Sequence, residues 1–207
     1  MSFRTAIVLA EAQDAIEQAL ACLNKDGLVA FPTDTVYGVG CQAFSADAIK
    51  SIYQAKQRPI EKAIPILIGS SDDLEKVTSQ IPPLASRLAA RFWPGPLTLV
   101  LPKHPDLPMI ISDGPTVGVR VPDHPIARRL LQAAGPLAVT SANLSGKESP
   151  RTAQQVLEQL SGRIHLVLDG GGTPGGVPST VVNPLDGDLV ILRQGPISRE
   201  EMLALLA

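Results

Sequence analysis

Aromatic residues are scarce in this chain, because phenylalanine, tyrosine and tryptophan together make up 3% of its 207 residues. Small RNA-binding domains of the RRM and OB types stack bases on exposed aromatic rings, and this chain has few rings to offer. The net charge of −2 also lacks the basic excess of domains dedicated to nucleic acid. A local basic patch is still compatible with that charge, because net charge averages over all faces.

Cysteine is nearly absent as well, with Cys22 and Cys41 as the only two. Their spacing matches neither a metal site nor a redox pair, which favours reduced thiols in a cytosolic protein. The apolar run near the N-terminus is short and acidic residues follow it, so no signal peptide is predicted. No apolar run is long enough to span a bilayer. We therefore expect a cytoplasmic protein that does not enter a membrane.

Hydrophobic residues make up 44% of the chain, enough for a sizeable aliphatic core, and the length favours a single domain over residues 1–207. The spacing of apolar residues and the positions of glycine and proline predict the helices and strands. Strands are predicted at 28–32, 64–68, 97–101, 117–121, 137–141, 165–169, 179–183 and 189–193. Helices are predicted at 12–25, 45–56, 72–77, 82–92, 125–134, 152–160 and 198–206.

Several predicted strands follow one another with only a turn between them, which indicates an α/β domain with a mixed, twisted sheet. The runs IPILI (64–68) and LTLVL (97–101) are apolar or nearly so throughout. Such strands are usually covered on both faces, and we expect both runs to be buried in that way.

The segment FPTDTVYGVG (31–40) carries two threonine hydroxyls where a predicted strand ends. Ligands commonly bind at strand ends in α/β proteins, and the hydroxyls of Thr33 and Thr35 suit a small polar substrate. A hydrogen-bonded turn in which Asp34 and Gly38 serve only the geometry explains the pattern equally well. In both interpretations a Gly-x-Gly turn follows the strand.

Three cations, Lys56, Arg58 and Lys62, lie together in KQRPIEK, where Pro59 is predicted to stop a helix. They fit a solvated basic cap that complements the helix dipole. They also fit a polyphosphate clamp, in which a guanidinium group grips phosphate oxygens in pairs. The pattern alone leaves both interpretations open.

Arg120 lies inside the apolar strand VGVRV (117–121). Strand alternation places Gly118 and Arg120 on one face and the three valines on the other. An arginine in such a position needs an anionic partner, which is either a substrate carboxylate or a buried Asp or Glu of the protein. Gly118 beside it leaves room for a ligand.

Two more polar segments follow predicted strands. TSANLSG (140–146) offers hydroxyl and amide groups that suit a nucleotide, and the backbone N–H groups of the glycine-rich segment 169–183 can surround an anion. Neither segment is a P-loop or a dinucleotide motif, and an ordinary turn or connector explains each of them too. Arg193 ends a strand as a further candidate phosphate ligand. The three histidines have no metal-ligand spacing, and no GxSxG motif is present.

Seven segments, in their order along the chain, resemble the YrdC-like family, which includes the L-threonylcarbamoyladenylate synthases. They are FPTDTVYGVG, KQRP, WPGPLTLVLP, VGVRVPDHP, TSANLSG, STVVN and ILRQG. Each motif is modest alone, but the ordered set is specific and runs along nearly the whole chain. The resemblance implies an α/β fold of the YrdC-like type, a twisted mixed sheet with flanking helices and a concave ligand-binding face. It further implies that L-threonine, bicarbonate and ATP condense to threonylcarbamoyl-AMP and pyrophosphate, and that partner transferase proteins then modify tRNA.

The resemblance also assigns residues, position by position. Lys56 and Arg58 are implied as catalytic residues. The threonine side is implied to comprise Thr35, Arg120, Val139 and Ser179. The ATP side is implied to comprise Arg58, Lys62, Thr116, Ser141, Asn143, Ser149 and Arg193. Mg²⁺ would bridge the phosphates of ATP, and no protein ligand is assigned to it.

Two positions depart from part of the family, which has asparagine in place of Lys62 and histidine in place of Leu67. Leu67 is apolar, so a polar substrate contact is missing there. Two alternatives therefore stay beside the synthase: an enzyme that hands a carbamoyl-adenylate to another acceptor amine, and a non-catalytic protein that binds double-stranded RNA or tRNA. Candidate residues for direct RNA binding are Lys56, Arg58, Lys62, Arg87 and Arg91.

Overall fold

A twisted sheet of ten strands organises the computed structural model, which describes residues 4–185 and 189–204. The strand order across the sheet is β1-β8-β2-β3-β7-β4-β6-β5-β9-β10. The strands are β1 (Ala6–Leu9), β2 (Val29–Pro32), β3 (Tyr37–Gln42), β4 (Ile66–Leu67), β5 (Leu97–Pro102), β6 (Thr116–Arg120), β7 (Leu137–Ser141), β8 (Leu166–Asp169), β9 (Thr180–Asn183) and β10 (Val190–Arg193).

The sheet is mixed, as the sequence predicts. Four strand pairs are parallel, namely β1 with β8, β2 with β8, β4 with β6, and β5 with β9. Five are antiparallel, namely β2 with β3, β3 with β7, β4 with β7, β5 with β6, and β9 with β10. The short strand β4 therefore joins the two halves of the sheet between β7 and β6.

Three of the described helices begin at a residue whose side chain accepts a hydrogen bond from a free N–H group. Ser45 accepts a hydrogen bond from Ala48 N and Thr152 accepts one from Gln155 N, whereas two other helices begin with proline at their first turn. The helices are α1 (Ala15–Leu23), α2 (Ala46–Lys56), α3 (Leu74–Val77), α4 (Pro83–Phe92), α5 (Pro125–Ala134), α6 (Ala153–Leu160) and α7 (Arg199–Leu203). No helix in the described ranges is long and apolar enough to cross a membrane.

Alternating side chains of the strands enter two separate cores, one on each face of the sheet. Ala30, Ile66 and Val119 belong to a large core that α2, α4 and α6 cover. Phe31 and Leu137 belong to a smaller core under α1 and α5. These two helices also cover Leu137 of β7 and Leu67 of β4, and the same face lies open farther along, over β6, β5 and β9.

Two expectations about elements are wrong, and one strand is missing from the prediction. Residues 37–42 form strand β3, not a Gly-x-Gly turn, and the turn is confined to Thr33–Val36. Strand β1 was not predicted, although it pairs along its whole length with β8. The run 97–101 is covered on one face only, since Thr98 and Val100 face the open part of the sheet. The run 64–68 is buried on both faces, as expected, with Ile66 in the large core and Leu67 in the smaller one. The end of the predicted helix 198–206 lies outside the described residues.

Candidate active site

A cleft of about 340 Å³ lies on the open part of the sheet. Its floor consists of side chains that alternate along β5, β6, β4 and β7, and its rim consists of the loops that follow or precede these strands. Arginines, hydroxyls and small aliphatic groups dominate the lining. The lining residues are Thr33, Thr35, Val36, Gly38, Arg58, Ala63, Pro65, Leu67, Thr98, Val100, Gly118, Arg120, Val139, Thr140, Ser141, Pro178, Ser179, Val181 and Arg193.

Two glycines, Gly38 and Gly118, allow close packing at the floor of the cleft because they have no side chain. A Cβ atom on Gly38 would stand 2.7 Å from Cγ1 of Val139, and one on Gly118 would stand 3.0 Å from Cγ2 of Thr98. Both contacts are shorter than ordinary van der Waals distances, so the strands can approach only because side chains are absent there. Gly118 leaves room for a ligand beside Arg120, as the sequence predicts.

Arg120 projects from β6 into the middle of the cleft, and its side chain is 7% exposed. Its Nε donates to Gly95 O at 2.9 Å, its Nη1 donates to Thr35 Oγ1 at 3.2 Å, and its Nη2 donates to Asp34 Oδ1. Of the two anionic partners that the sequence allows, the structure contains the protein carboxylate, Asp34. Three of the five N–H groups thereby have partners. The other two have none among the described residues, so a ligand can use them.

The turn after β2 builds the wall beside Arg120. Thr33 donates from its hydroxyl to Val36 O at 2.6 Å, and the hydroxyls of Thr33 and Thr35 lie 3.0 Å apart. Since the single hydrogen of Thr33 goes to Val36, the hydroxyl of Thr35 is the donor in that pair. Both hydroxyl hydrogens of this wall are therefore used within the protein.

Arg193 reaches the cleft from β10 because of a β-bulge. Ile191 opposes Val182 and Arg193 opposes Val181, which leaves Leu192 as the extra residue. In a regular ladder Arg193 would instead oppose Thr180, on the core face of the sheet. Arg193 donates from Nε and Nη2 to Ser179 O, and from Nη2 to Ser179 Oγ at 3.1 Å.

Arg58 lies at the opposite rim, just after α2. Gln57 adopts a left-handed conformation with φ 50°, which ends the helix at Lys56 and turns the chain toward the cleft. Arg58 donates from Nε to Lys62 O at 3.0 Å and from Nη2 to Ala63 O at 2.9 Å. Its Nη1 group has no hydrogen-bond partner within residues 4–185 and 189–204.

Lys56 is neither the solvated cap nor the phosphate clamp that the sequence allows, because its side chain is buried with 1% of the residue exposed. Its ammonium donates to the carbonyl oxygens of Ser141 and Asn143. Burial, with a smaller effect of the Arg58 charge, lowers the pKa of Lys56 to about 7. The side chain ties the end of α2 to the loop after β7 and does not line the cleft.

The cleft is electropositive. Arg58, Arg120 and Arg193 all line it, and no Asp or Glu does so within the described ranges. Asp34 balances the charge of Arg120, and the other two guanidinium groups have no carboxylate partner among the described residues. Burial lowers the pKa of each of the three, yet an arginine remains protonated at neutral pH. Such a cleft suits a ligand with several negative charges.

Comparison with known proteins agrees with this geometry. The Sua5/YciO/YrdC family model, which carries the description "Telomere recombination", matches residues 21–195. The chain belongs to the Sua5/YciO/YrdC family.

Named relatives of this family cover most of the chain. A threonylcarbamoyl-AMP synthase of Bacillus subtilis is 46% identical over 92% of this chain and 56% of its own length. One of Vibrio cholerae is 36% identical over 87% of this chain and 97% of its own length. The crystal structure of Pyrococcus abyssi Sua5 complexed with L-threonine is 42% identical, with a TM-score of 0.92, over 99% of this chain and 61% of that one. The chain thus spans little more than half the length of the Bacillus subtilis and Pyrococcus abyssi proteins.

The cleft brings together seven of the twelve site residues that the sequence predicts. These are Thr35, Arg58, Arg120, Val139, Ser141, Ser179 and Arg193. Five do not line it, namely Lys56, Lys62, Thr116, Asn143 and Ser149. Lys62 is exposed on the loop after Arg58, and Thr116 begins β6. Asn143 is buried, and its Nδ2 donates to Leu144 O and Lys147 O.

Several lining residues were not predicted as site residues, above all Thr98, Thr140 and Val181. Alternation in LTLVL would have found Thr98, since its neighbours Leu97 and Leu99 face the core. The glycine-rich segment contributes to the site by close packing, because a Cβ atom on Gly175 would stand 2.1 Å from Thr35 O. Within the described ranges, no group of three or more His, Cys, Asp or Glu is placed to hold a metal ion.

Proposed function

We propose that this chain condenses L-threonine, bicarbonate and ATP to threonylcarbamoyl-AMP, with release of pyrophosphate, for the later modification of tRNA. The observation that carries the proposal is the cleft with three arginines and no lining carboxylate, on a chain related to threonylcarbamoyl-AMP synthases over most of its length. A triphosphate and an amino-acid carboxylate supply the negative charges that such a cleft needs.

The proposed reaction has two bond-forming steps. The amino nitrogen of threonine attacks bicarbonate and forms an N-carboxylate, with loss of water. An oxygen of that carbamate then attacks the α-phosphorus of ATP, and the bond to the pyrophosphate leaving group breaks. The chemistry needs no covalent protein nucleophile, only alignment of the carbamate oxygen with the α-phosphate and stabilisation of charge.

The residues divide this work by position. Arg58 and Arg193, which have no carboxylate partner in the part of the chain that the structure describes, would neutralise the triphosphate. Ser141 would contact the nucleotide from the end of β7. Arg120 has two N–H groups left for the substrate carboxylate, and Val139 offers an apolar surface to the methyl group of threonine. Val100, Val181 and Leu67 extend that surface, so the leucine at position 67 adds apolar contact where other family members have a histidine.

Mg²⁺ fits this proposal as a companion of ATP. Because no carboxylate of the described residues lines the cleft, the phosphates and water would supply most of its ligands. The ion would offset phosphate charge, while the arginines hold and orient the same group. The mixed anhydride that forms would pass to partner transferase proteins in the cytoplasm.

Direct binding of RNA is less well supported than the synthase. Of the five basic residues considered for it, Lys56 is buried and Arg58 faces the cleft. Arg87 and Arg91 lie on α4, which covers the opposite face of the sheet. These side chains therefore do not form one continuous basic surface.

The test is an omission experiment. Purified protein is incubated with ATP, Mg²⁺, bicarbonate and threonine, and pyrophosphate is measured while one component at a time is left out. Release that requires both threonine and bicarbonate is the expected result. Release that proceeds with another amino acid in place of threonine would favour an enzyme with a different acceptor. ATP binding without any release would favour a non-catalytic relative.

A further inference from the structure

A second pair of hydroxyls lines the cleft in addition to those of Thr33 and Thr35. Oγ1 of Thr98, on β5, lies 2.8 Å from Oγ of Ser179, which precedes β9. Thr98 is 4% exposed and Ser179 is 5% exposed, and both line the cleft. Thr98 lies on β5 and Ser179 immediately precedes β9, the parallel neighbour of β5, so the pairing of these strands sets the distance between the two side chains.

The hydrogens of this pair can be counted. Ser179 Oγ accepts from Nη2 of Arg193, which uses one of its lone pairs. Of the two hydroxyl hydrogens of Thr98 and Ser179, one lies between the two oxygens. The other has no acceptor within residues 4–185 and 189–204, in contrast to the Thr33 and Thr35 pair, whose hydrogens are both used. The second pair can therefore donate one hydrogen bond into the cleft.

Packing alone does not require a threonine at position 98. Its neighbours on the same face, Val100 on β5 and Val181 on β9, are apolar, and valine has nearly the same shape as threonine. A buried hydroxyl costs free energy unless it is hydrogen-bonded, and Ser179 is its hydrogen-bond partner. The hydroxyl of Thr98 thus serves the orientation of Ser179.

We propose that Thr98 is a positioning residue for the amino-acid side of this cleft. By holding the hydroxyl of Ser179, it lets the pair present one hydrogen to an acceptor oxygen of bound threonine. This inference rests on the proposed function, because it takes threonine as the ligand. Arg193 is held mainly by the backbone carbonyl of Ser179, so the orientation of Arg193 does not depend on Thr98.

The experiment compares three variants with the wild-type chain. Thr98→Val removes the hydroxyl and keeps the shape, and Thr98→Ser restores the hydroxyl. Thr78→Val is the matched control, because Thr78 is also 4% exposed and its hydroxyl donates to backbone carbonyls outside the cleft. Threonine binding is measured by calorimetry, and KM for threonine and for ATP are measured by pyrophosphate release.

Thr98→Val should raise the Kd and KM for threonine about 5-fold, which corresponds to one hydrogen bond, and should leave the KM for ATP within about twofold. Thr98→Ser should recover most of the threonine affinity. Thr78→Val should lower the stability of the protein and leave its threonine affinity unchanged. If wild-type protein binds no threonine, the proposed function fails and the inference fails with it. If wild-type binds threonine and Thr98→Val binds it equally well, only the inference is overturned. An equal loss for threonine and ATP that serine does not restore would also overturn it.

Discussion

Arg120 and Asp34 form an ion pair at the base of the cleft, with Nη2 of the arginine donating to Oδ1 of the aspartate. The side chains are 7% and 13% exposed. Asp34 Oδ1 also accepts from the backbone N–H of Asp123 at 3.1 Å, so the carboxylate joins the turn after β2 to the loop after β6. The pair thus fixes the most buried cation of the cleft before any ligand arrives.

Removal of this carboxylate should be costly. Asp34→Ala leaves the guanidinium group of Arg120 buried without its counter-charge, and such changes cost about 3 to 5 kcal/mol. The free energy of unfolding in urea should fall by that order. Asp73→Ala is the comparison, since Asp73 pairs with the exposed Lys76 and should cost about 1 kcal/mol or less. Equal effects of both substitutions would contradict a structural role for the buried pair.

Arg58 should govern the use of ATP. Arg58→Ala removes one of the three guanidinium groups that line the cleft. A charge-assisted contact is worth about 1.5 to 3 kcal/mol, or roughly 10-fold or more in kcat/KM for ATP. Arg58→Lys should recover only part of the activity, because a lysine lacks the planar fork. Arg129→Ala on the exposed surface of α5 is the matched control. Steady-state pyrophosphate release at varied ATP concentration measures all three.

The buried ammonium of Lys56 should make stability depend on pH. The folded protein has a pKa of about 7 for this group, whereas the unfolded chain has the ordinary value of about 10.4. Between these two values the unfolded chain binds a proton that the folded protein lacks, so the free energy of unfolding rises with pH. Below pH 7 both states are protonated, and this group contributes no slope.

Lys56→Met removes that dependence. The difference in unfolding free energy between wild-type protein and the variant should grow in favour of wild type by about 2 kcal/mol between pH 7 and pH 9. Urea unfolding at several pH values measures it. A constant difference over this range would show that the pKa of Lys56 is not lowered. Because both carbonyl partners belong to the loop from Ser141 to Asn143, the variant should also weaken ATP binding more than threonine binding.

Local patterns predicted much of the fold. The alternation in VGVRV placed Gly118 and Arg120 together on the cleft face, and the cap at Ser45 marked the beginning of α2. These features depend on neighbouring residues, so a single sequence contains them. The resemblance to the family then named residues that fold into one cleft although they come from distant segments.

Long-range contacts explain what the sequence did not reveal. The segment around Gly38 looks like a turn, and its pairing with β2 and β7, where Gly38 opposes Phe31 and Ser141, makes it a strand. Lys56 looks like a surface cation in the sequence. Its ammonium instead donates to the carbonyl oxygens of Ser141 and Asn143, 85 and 87 positions away along the chain. The bulge that turns Arg193 into the cleft likewise depends on its register with β9.

Gly118 should set the width of the cleft floor. A Cβ atom there would stand 3.0 Å from Cγ2 of Thr98 and 3.3 Å from Cβ of Pro65, so alanine fits only after shifts of a few tenths of an ångström. Valine adds two methyl groups in the same place, and such overpacking costs about 1 to 3 kcal/mol. Gly118→Ala should therefore raise the Kd for threonine modestly and keep the fold, whereas Gly118→Val should abolish threonine binding and also lower the thermal midpoint. Calorimetric titration with threonine and thermal unfolding of both variants measure this.

Gly146→Ala is not a suitable control, because Gly146 has φ 83° and any side chain there is strained. Gly114→Ala is suitable, since a Cβ atom at position 114 meets no other atom within 4 Å. Unchanged threonine affinity in Gly118→Val would show that the amino acid does not lie on this part of the floor.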